Sequence, residues 1–228
     1  MPVTISQYPS PNFDERGEGG LVDMLVLHYT GMENRDVALA RLCDEGAEVS
    51  AHYFIDEEGT ILQLVDESHR AWHAGVASWR GQDNINQRSI GIEIVNPGHE
   101  FGYREFTEAQ MVSVITLCQD ILSRHTIPAR NIVGHSDVAP KRKSDPGELF
   151  DWHRLAEEGI GLWPEEAQIL EMDRDTVAGH LETIGYEIND FPKALRAFQR
   201  HYRGERVTGR IDAGTARRLS GLAGMVGQ

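Results

Sequence analysis

The sequence predicts an α/β protein in which a single mixed β-sheet is flanked by helices and followed by a small three-helix unit. Between residues 22 and 134, short apolar runs typical of strands are interleaved with segments of helical periodicity. After Leu162-Trp163-Pro164, the pattern changes and reads as three short helices. We therefore divide the chain into residues 1–164 and residues 165–228.

The first domain begins with residues 1–20, which predict an irregular arm because they hold Pro9, Pro11 and a glycine cluster. A long helix begins at Thr107, which forms a capping-box pair with Gln110 ahead of an apolar stripe. Strands are predicted over 22–28, 52–55, 61–65, 89–95 and 131–134, and a further helix over 35–45. The pair 52–55 and 61–65 is predicted as a β-hairpin.

Each predicted helix of the second domain begins with a residue that is favoured at a helix N-terminus. Asp175 is predicted to cap the first helix, Pro192 to open the second at a favoured first-turn position, and Asp212 to cap the third. A unit of this size can fold alone, but only marginally.

The formal charge of the chain is −14, and it is concentrated in the first domain. Residues 1–164 hold 26 of the 36 acids but only 13 of the 22 bases. Binding to a phosphate backbone needs clustered Lys and Arg, so this balance argues against a nucleic-acid partner. The remaining explanation for such a charge is a solubilising surface.

The cysteines and the apolar segments of the sequence indicate the cellular compartment in which the protein is expected. Cys43 and Cys118 lie in apolar-periodic segments and are predicted to be buried free thiols. No apolar run approaches the length needed to span a membrane, and the first residues carry no secretory signal pattern. The sequence predicts a cytoplasmic protein without a transmembrane segment.

Three side chains are placed to form a metal site. His28 ends a predicted buried strand and His135 directly follows another, where side chains gather at the edge of an α/β sheet. Asp145 follows ten residues later, in a turn with Pro146 and Gly147. Two imidazoles and one carboxylate make a three-ligand set suited to catalytic zinc, whose fourth position stays open for water. Most of the ten histidines are surface or core residues on this interpretation.

Glu93 and Lys143 each have two interpretations. Glu93 is either an outward-facing residue of its strand or a general base for zinc-activated water. Lys143 either belongs to a solvated basic run, residues 141–143, or stabilises a tetrahedral oxyanion.

Six blocks follow one another in the first domain between residues 20 and 164. The blocks are Leu27-His28-Tyr29-Thr30; Ser50-Ala51-His52-Tyr53-Phe54-Ile55 with Gly59; Ala71-Trp72-His73-Ala74-Gly75 with Trp79 and Gly81; Asn86 with Ser89-Ile90-Gly91-Ile92-Glu93; Gly134-His135-Ser136-Asp137 with Ala139-Pro140; and Lys143 with Asp145-Pro146-Gly147. In this order the blocks resemble the zinc-dependent N-acetylmuramoyl-L-alanine amidases of type 2.

This resemblance implies Zn²⁺ held by His28, His135 and Asp145, with Glu93 as acid/base and Lys143 as oxyanion stabiliser. The substrate it implies is the amide between N-acetylmuramic acid, or its 1,6-anhydro form, and L-alanine in peptidoglycan or soluble muropeptides.

Three further residues of these blocks, Trp72, His73 and Trp79, look like lining of a glycopeptide groove. His52 is expected to pack within the fold. Phage members carry a Tyr where this chain has Ala51, so the role of that Tyr is absent or moved here.

The second domain is similar to the three-helix peptidoglycan-binding domain. Its matching residues are Leu181 to Gly185 with Tyr186, Ala194 to Gln199, and Thr208 to Asp212 with Thr215 and Leu219. Glu187 to Asp190 depart from the Gly-rich segment of that family, and a purely structural role is the alternative.

Other classes of function stay open at this point. A non-catalytic peptidoglycan-recognition protein could use the same scaffold, and a thiol or serine hydrolase would use Cys43 or Ser136. The missing signal pattern favours soluble anhydro-muropeptides in the cytoplasm, whereas a wall-binding domain favours intact wall in the cell envelope.

Overall fold

The computed structural model describes residues 4–17, 20–168 and 172–227. Within these ranges the strands are β1 (Ile5–Gln7), β2 (Phe13–Glu15), β3 (Met24–Tyr29), β4 (Tyr53–Ile55), β5 (Ile61–Gln63), β6 (His69–Ala71), β7 (Ser89–Ile94) and β8 (Ile132–Gly134). The helices are α1 (Arg35–Leu42), α2 (Ile85–Arg88), α3 (Gly98–Phe101), α4 (Glu108–Arg124), α5 (His135–Val138), α6 (Trp152–Glu157), α7 (Arg174–Ile184), α8 (Phe191–Tyr202) and α9 (Ala213–Val226). Short 3-10 turns occupy Glu45–Ala47 and Ala129–Asn131.

The central sheet has six strands in the order β1-β5-β4-β7-β3-β8. β4 and β5 are antiparallel, whereas the other neighbouring pairs are parallel. The predicted mixed sheet and the predicted hairpin are therefore both confirmed. Because β7, β3 and β8 lie side by side and run in the same direction, their carboxyl ends meet at one edge of the sheet.

One face of this sheet is covered by α4. The predicted capping box is present, since Thr107 accepts from the Gln110 backbone and the Gln110 side chain accepts from the Thr107 N–H. Apolar residues of α4 pack on alternate residues of the strands, including Leu25 and Leu27 of β3 and Ile92 of β7. The opposite face of the sheet is thereby left for the residues that alternate with these, among them His28 and Glu93.

The prediction of an irregular arm over residues 1–20 is wrong for two segments. β1 adds a parallel edge strand to the sheet beside β5, and β2 pairs antiparallel with β6 in a separate two-stranded sheet. Both are three-residue strands whose partners lie 54 to 58 residues away in sequence, so no local periodicity predicts them. Residues 1–3 and 18–19 lie outside the described residues.

Residues 172–227 contain the three expected helices. As predicted, Pro192 lies in the first turn of α8 and Asp212 caps α9. The cap of α8 is Asp190, which was not predicted from the sequence. The cap of α7 was misplaced: Asp173 accepts from the Thr176 N–H, and Asp175 lies within the first turn of the helix. Either aspartate fits the sequence pattern, and only the turn geometry distinguishes them.

The three helices pack onto the first domain through a shared apolar cluster. Leu181, Phe198 and Leu219 belong to the same cluster as Val26 and Val133 from the sheet. The buried Asp137 of α5 adds a polar connection, because it accepts from Tyr186 Oη at 2.7 Å and lies 2.7 Å from His201 Nδ1. The second unit therefore has part of its core in common with the sheet that carries the candidate site.

The described helices include none that is both long and apolar enough to cross a membrane.

Candidate metal centre and active site

Three side chains converge at the carboxyl edge of the sheet. His28 lies near the end of β3, His135 begins α5 directly after β8, and Asp145 lies in the following loop. His28 Nδ1 and His135 Nδ1 are 2.9 Å apart, and Asp145 Oδ2 lies 3.1 Å from the first and 3.0 Å from the second. All three residues are buried. Two imidazole nitrogens and one carboxylate oxygen facing one point are the donor set of a catalytic zinc site, so the residues present fit this metal.

The far nitrogens of both histidines are held by hydrogen bonds. His135 Nε2 lies 3.0 Å from the Ala74 carbonyl, which requires a proton on Nε2 and leaves Nδ1 with its lone pair. His28 Nε2 lies 3.0 Å from His73 Nδ1. Outer partners of this kind fix the tautomer and ring orientation of metal-binding histidines.

His73 continues this arrangement to the main chain. The Ser89 hydroxyl donates to the Ile85 carbonyl at 2.7 Å, so its oxygen is free to accept from His73 Nε2 at 3.0 Å. His73 Nδ1 is then an acceptor for His28 Nε2–H, and His28 Nδ1 keeps its lone pair for the metal position. We call the sequence Ile85, Ser89, His73, His28 the tautomer relay.

A glycine makes room for the His73 ring. A Cβ built on Gly91, in the middle of β7, would lie 2.4 Å from His73 Cγ, closer than any side chain tolerates. The ring therefore rests directly on the backbone of the strand, between His28 and Ser89, and this explains why a glycine interrupts the branched residues of β7.

Charges at the centre match a metal-binding state. Burial, with the neighbouring His135 as the second cause, lowers the pKa of His28 to about 4, and burial places the pKa of His73 well below its usual range. Burial opposes ionisation of Asp145, but the adjacent His135 and His28 outweigh it and hold the pKa of that carboxyl below its usual range. A neutral His28 imidazole beside an ionised Asp145 carboxylate is a combination of protonation states that can coordinate a cation.

Glu93 lies beside this centre. It is the register partner of His28 across β7 and β3, so both side chains leave the same face of the sheet. Its Oε2 is buried and has no hydrogen-bond partner among the described residues. Burial, followed by the charge of Asp145, raises the pKa of this carboxyl well above its usual range. A carboxyl oxygen without a partner is available to a molecule in the cavity.

The cavity that joins these groups has a volume of about 390 Å³. Its lining includes Glu93, His135 and Asp145 together with Lys143 and His73. Lys143 is exposed and forms no ion pair within the described parts of the chain. Four of the five residues to which the sequence assigned metal or catalytic roles therefore line one cavity, and the fifth, His28, lies directly behind them.

The loop that carries Lys143 and Asp145 is anchored at several points. The Ser136 N–H donates to the Asp145 carbonyl at 2.8 Å, and Tyr103 Oη donates to the Pro146 carbonyl at 2.7 Å. Tyr29 Oη lies 3.0 Å from Ser144 Oγ. These bonds hold the carboxylate of Asp145 against the two histidines.

The expectations for Trp79 and Trp72 differ from the structure. Trp79 is only 2% exposed, and its ring packs edge-on against Tyr186 at 5.1 Å, so it lies between the two units instead of in a groove. Trp72 is half-buried and is not part of the cavity lining. His73 does line the cavity, but it lies beneath His28. His52 packs inside the fold as expected, where its Nδ1 accepts from the Gly91 N–H at 3.0 Å.

Ser89 and Tyr29 belong to the six sequence blocks, but no role was predicted for either of them. Ser89 could have been found, because Ser89, Gly91 and Glu93 alternate with Ile90, Ile92 and Ile94. Alternation of this kind places the serine, the glycine and the acid on one face of the strand. Tyr29 follows His28 directly, and only the fold reveals that it meets the loop of Ser144.

The alternative nucleophiles gain no support. Burial raises the pKa of the Cys43 thiol and raises that of Cys118 to about 12, whereas a reactive cysteine needs a lowered pKa. Both cysteines are free thiols, as predicted, although Cys43 is only half-buried. Ser136 is 2% exposed and is not part of the cavity lining.

The chain is similar in sequence to known amidases. A family model described as N-acetylmuramoyl-L-alanine amidase matches residues 18–148. The chain is 34% identical to N-acetylmuramoyl-L-alanine amidase AmiD of Escherichia coli, over 91% of this chain and 84% of that protein. It is 35% identical to 1,6-anhydro-N-acetylmuramyl-L-alanine amidase AmpD of Haemophilus influenzae, over 65% of this chain and 88% of that protein.

Two solved structures resemble both units of the chain. E. coli AmiD in complex with the substrate anhydro-N-acetylmuramic acid-L-Ala-D-gamma-Glu-L-Lys has a TM-score of 0.82 at 32% identity, covering 95% of this chain and 99% of that one. AmpDh3 of Pseudomonas aeruginosa in complex with anhydromuramic pentapeptide also has a TM-score of 0.82 at 32% identity, covering 96% and 95%. These matches agree with the α/β fold, and the chain belongs to the N-acetylmuramoyl-L-alanine amidase family, a family of hydrolases.

Proposed function

We propose that the protein is a zinc hydrolase that cleaves the amide between 1,6-anhydro-N-acetylmuramic acid and L-alanine in soluble muropeptides. The observation that supports this most strongly is the convergence of His28 Nδ1, His135 Nδ1 and Asp145 Oδ2, with the unpartnered Glu93 carboxyl on the same cavity. A non-catalytic recognition protein has no need of this combination of a complete donor set and a free carboxyl.

The residues present define how the metal would be held. His28, His135 and Asp145 would hold Zn²⁺, and the cavity beside them leaves a fourth position accessible to water and substrate. Zinc in such a site supplies a Lewis acid and lowers the pKa of water toward about 7.

Glu93 and Lys143 carry the remaining steps in this proposal. Glu93 takes a proton from the water that attacks the lactyl carbonyl, and it delivers this proton to the nitrogen of the leaving L-alanine. The ammonium of Lys143 stabilises the negative charge that develops on the carbonyl oxygen. The products are a free lactyl carboxylate and a free peptide amine, so the atoms of one water are accounted for.

Soluble anhydro-muropeptides are the proposed substrate form because two structural relatives are complexes with anhydromuramyl peptides and the AmpD relative is named for the anhydro sugar. The similarity of residues 172–227 to a wall-binding domain makes the polymer the alternative. In the described part of this unit, Leu181 and Phe198 pack in a core shared with the first domain. This packing is equally consistent with a three-helix unit that only stabilises the first domain and does not bind the wall.

Mass spectrometry of reaction products tests the proposal. The zinc-loaded protein is incubated with anhydro-N-acetylmuramic acid-L-Ala-D-γ-Glu-L-Lys and, separately, with intact sacculi. We expect release of the free tripeptide from the soluble substrate and loss of this activity after chelation. Absence of cleavage in both incubations, or cleavage at another bond, would refute the proposed reaction, and faster release from sacculi would refute the proposed substrate form.

A further inference from the structure

We call the cavity lined by Glu93, His135 and Asp145 the active cavity. A second, basic depression opens beside it, and both units of the chain contribute to this depression. It has a volume of about 200 Å³. One wall is the loop of residues 140–144, and the other is the exposed side of α8 with Lys193, Arg196 and Arg200. We call it the basic cleft.

The cleft concentrates positive charge in a chain whose formal charge is −14. Lys141, Arg142, Lys143 and Arg196 have no carboxylate within 4.0 Å in the described ranges 4–17, 20–168 and 172–227. The other two cations have only distant partners: Lys193 lies 4.0 Å from Asp190, and Arg200 lies 3.8 Å from Glu148. A cleft of this kind attracts anions, and its low-dielectric walls concentrate the field.

The geometry of the cleft is defined on both sides. Arg142 is held because its guanidinium donates to the carbonyls of Ala74 at 2.9 Å and Val76 at 3.1 Å. Lys193 Nζ donates to the Lys141 carbonyl at 3.1 Å, which connects α8 to the loop. α8 itself is fixed to α5 through the contact between His201 and Asp137.

The basic cleft is continuous with the active cavity. Arg142, Lys143 and Ser144 line both. A substrate whose scissile amide lies between Glu93 and Lys143 can therefore extend from the active cavity into the cleft along these shared residues.

We propose that the basic cleft binds the carboxylates of the peptide stem, with Lys193 and Arg196 as substrate-binding residues contributed by the three-helix unit. This rests on the proposed function, because the stem Ala-γ-Glu-Lys carries a free carboxylate on its γ-linked glutamate and another at its C-terminus. Ammonium and guanidinium groups are the side chains that bind carboxylates most strongly. The three-helix unit thereby takes part in substrate selection, independently of any binding to the wall.

The test compares a double variant, Lys193→Gln with Arg196→Gln, on two substrates. The first is the anhydromuramyl tripeptide, and the second is the same compound with both peptide carboxylates amidated. Exposed charge pairs contribute modestly, so two of them should change KM for the acidic substrate by about five- to tenfold at low salt, with kcat within about twofold. KM for the amidated substrate should stay unchanged, as should both constants in Arg217→Gln, a control that removes an exposed charge of α9 beside Glu166.

An equal change of KM for both substrates, or none for the acidic one, would overturn the proposal. Calorimetry with the free tripeptide L-Ala-D-γ-Glu-L-Lys separates this inference from the proposed reaction. If the wild-type protein cleaves neither substrate, the proposed reaction is refuted. Weaker binding of the tripeptide by the double variant still supports the basic cleft as the carboxylate-binding site. Equal binding by the two proteins refutes it.

Discussion

His73 Nδ1 lies 3.0 Å from Nε2 of His28, on the side of the imidazole that faces away from the metal position. Because Ser89 occupies the other nitrogen of His73, the proton between the two histidines belongs to His28 Nε2. The His28 Nδ1 lone pair therefore points toward His135 and Asp145. His73, which the sequence predicts in a groove, therefore supports the His28 imidazole in the structure.

Removing the end of the tautomer relay should weaken metal binding. In Ser89→Ala, His73 Nε2–H loses its acceptor, and the preference for the His28 tautomer with a free Nδ1 declines. Loss of an outer partner typically costs about 10- to 100-fold in metal affinity. Competition with a chelator of known affinity measures the change. His153→Gln, which removes an exposed histidine of α6, is the control and should retain wild-type affinity. A zinc affinity of the Ser89→Ala variant within twofold of the wild-type value would contradict the tautomer relay.

Asp137 should be a major contributor to stability. Its carboxylate accepts from the Gly134 N–H and from Tyr186 Oη, each at 2.7 Å, and pairs with His201. Asp137→Ala leaves these buried groups without a partner, so we expect a loss of about 3–5 kcal/mol in the free energy of unfolding. Urea denaturation measures this loss.

The control for Asp137 is Asp83→Ala, which removes an exposed carboxylate and should change stability by less than about 0.5 kcal/mol. If the two variants were equally stable, the polar connection between α5 and the three-helix unit would be unimportant for folding.

His52 should make stability depend on pH. Burial, followed by the positive charge of Arg16, lowers its pKa to about 3, against an ordinary value of 6.5. Between pH 6.5 and 3 the unfolded chain binds a proton that the folded chain does not. The contribution of His52 is therefore complete above pH 6.5 and declines as the pH falls, by about 1.4 kcal/mol per pH unit.

Denaturant titrations of the chelator-treated protein between pH 7 and pH 5 measure this dependence without the effect of metal release. His52→Gln, whose amide can still accept from the Gly91 N–H, should have a shallower slope than the wild type. Equal slopes in the two proteins would show that His52 does not titrate as its buried surroundings require.

The sequence was sufficient to predict that His28, His135 and Asp145 lie together, because the placement of the two histidines follows from strand order. His28 lies near the end of one strand and His135 directly follows another, and parallel neighbours bring such residues together. β1 and Trp79 could not be predicted in the same way. Ile5–Gln7 is a strand only because β5 offers it a free edge, and Trp79 is buried because Tyr186, more than 100 residues later, packs on it. Both depend on contacts between distant parts of the chain that no local pattern encodes.

The basic cleft illustrates the same limit. The run of residues 141–143 is visible in the sequence, and there it is indistinguishable from a solvated surface segment. Its significance emerges only when α8 brings Lys193 and Arg196 to the opposite side.

The central claim is that His28, His135 and Asp145 hold zinc while Glu93 transfers the protons of amide hydrolysis. Zinc content and turnover of the anhydromuramyl tripeptide, both measured on one preparation of Glu93→Gln, test it most directly. The account predicts one equivalent of zinc, as in the wild type, with kcat reduced by about 10²- to 10⁴-fold. Full zinc content together with near wild-type turnover would contradict it.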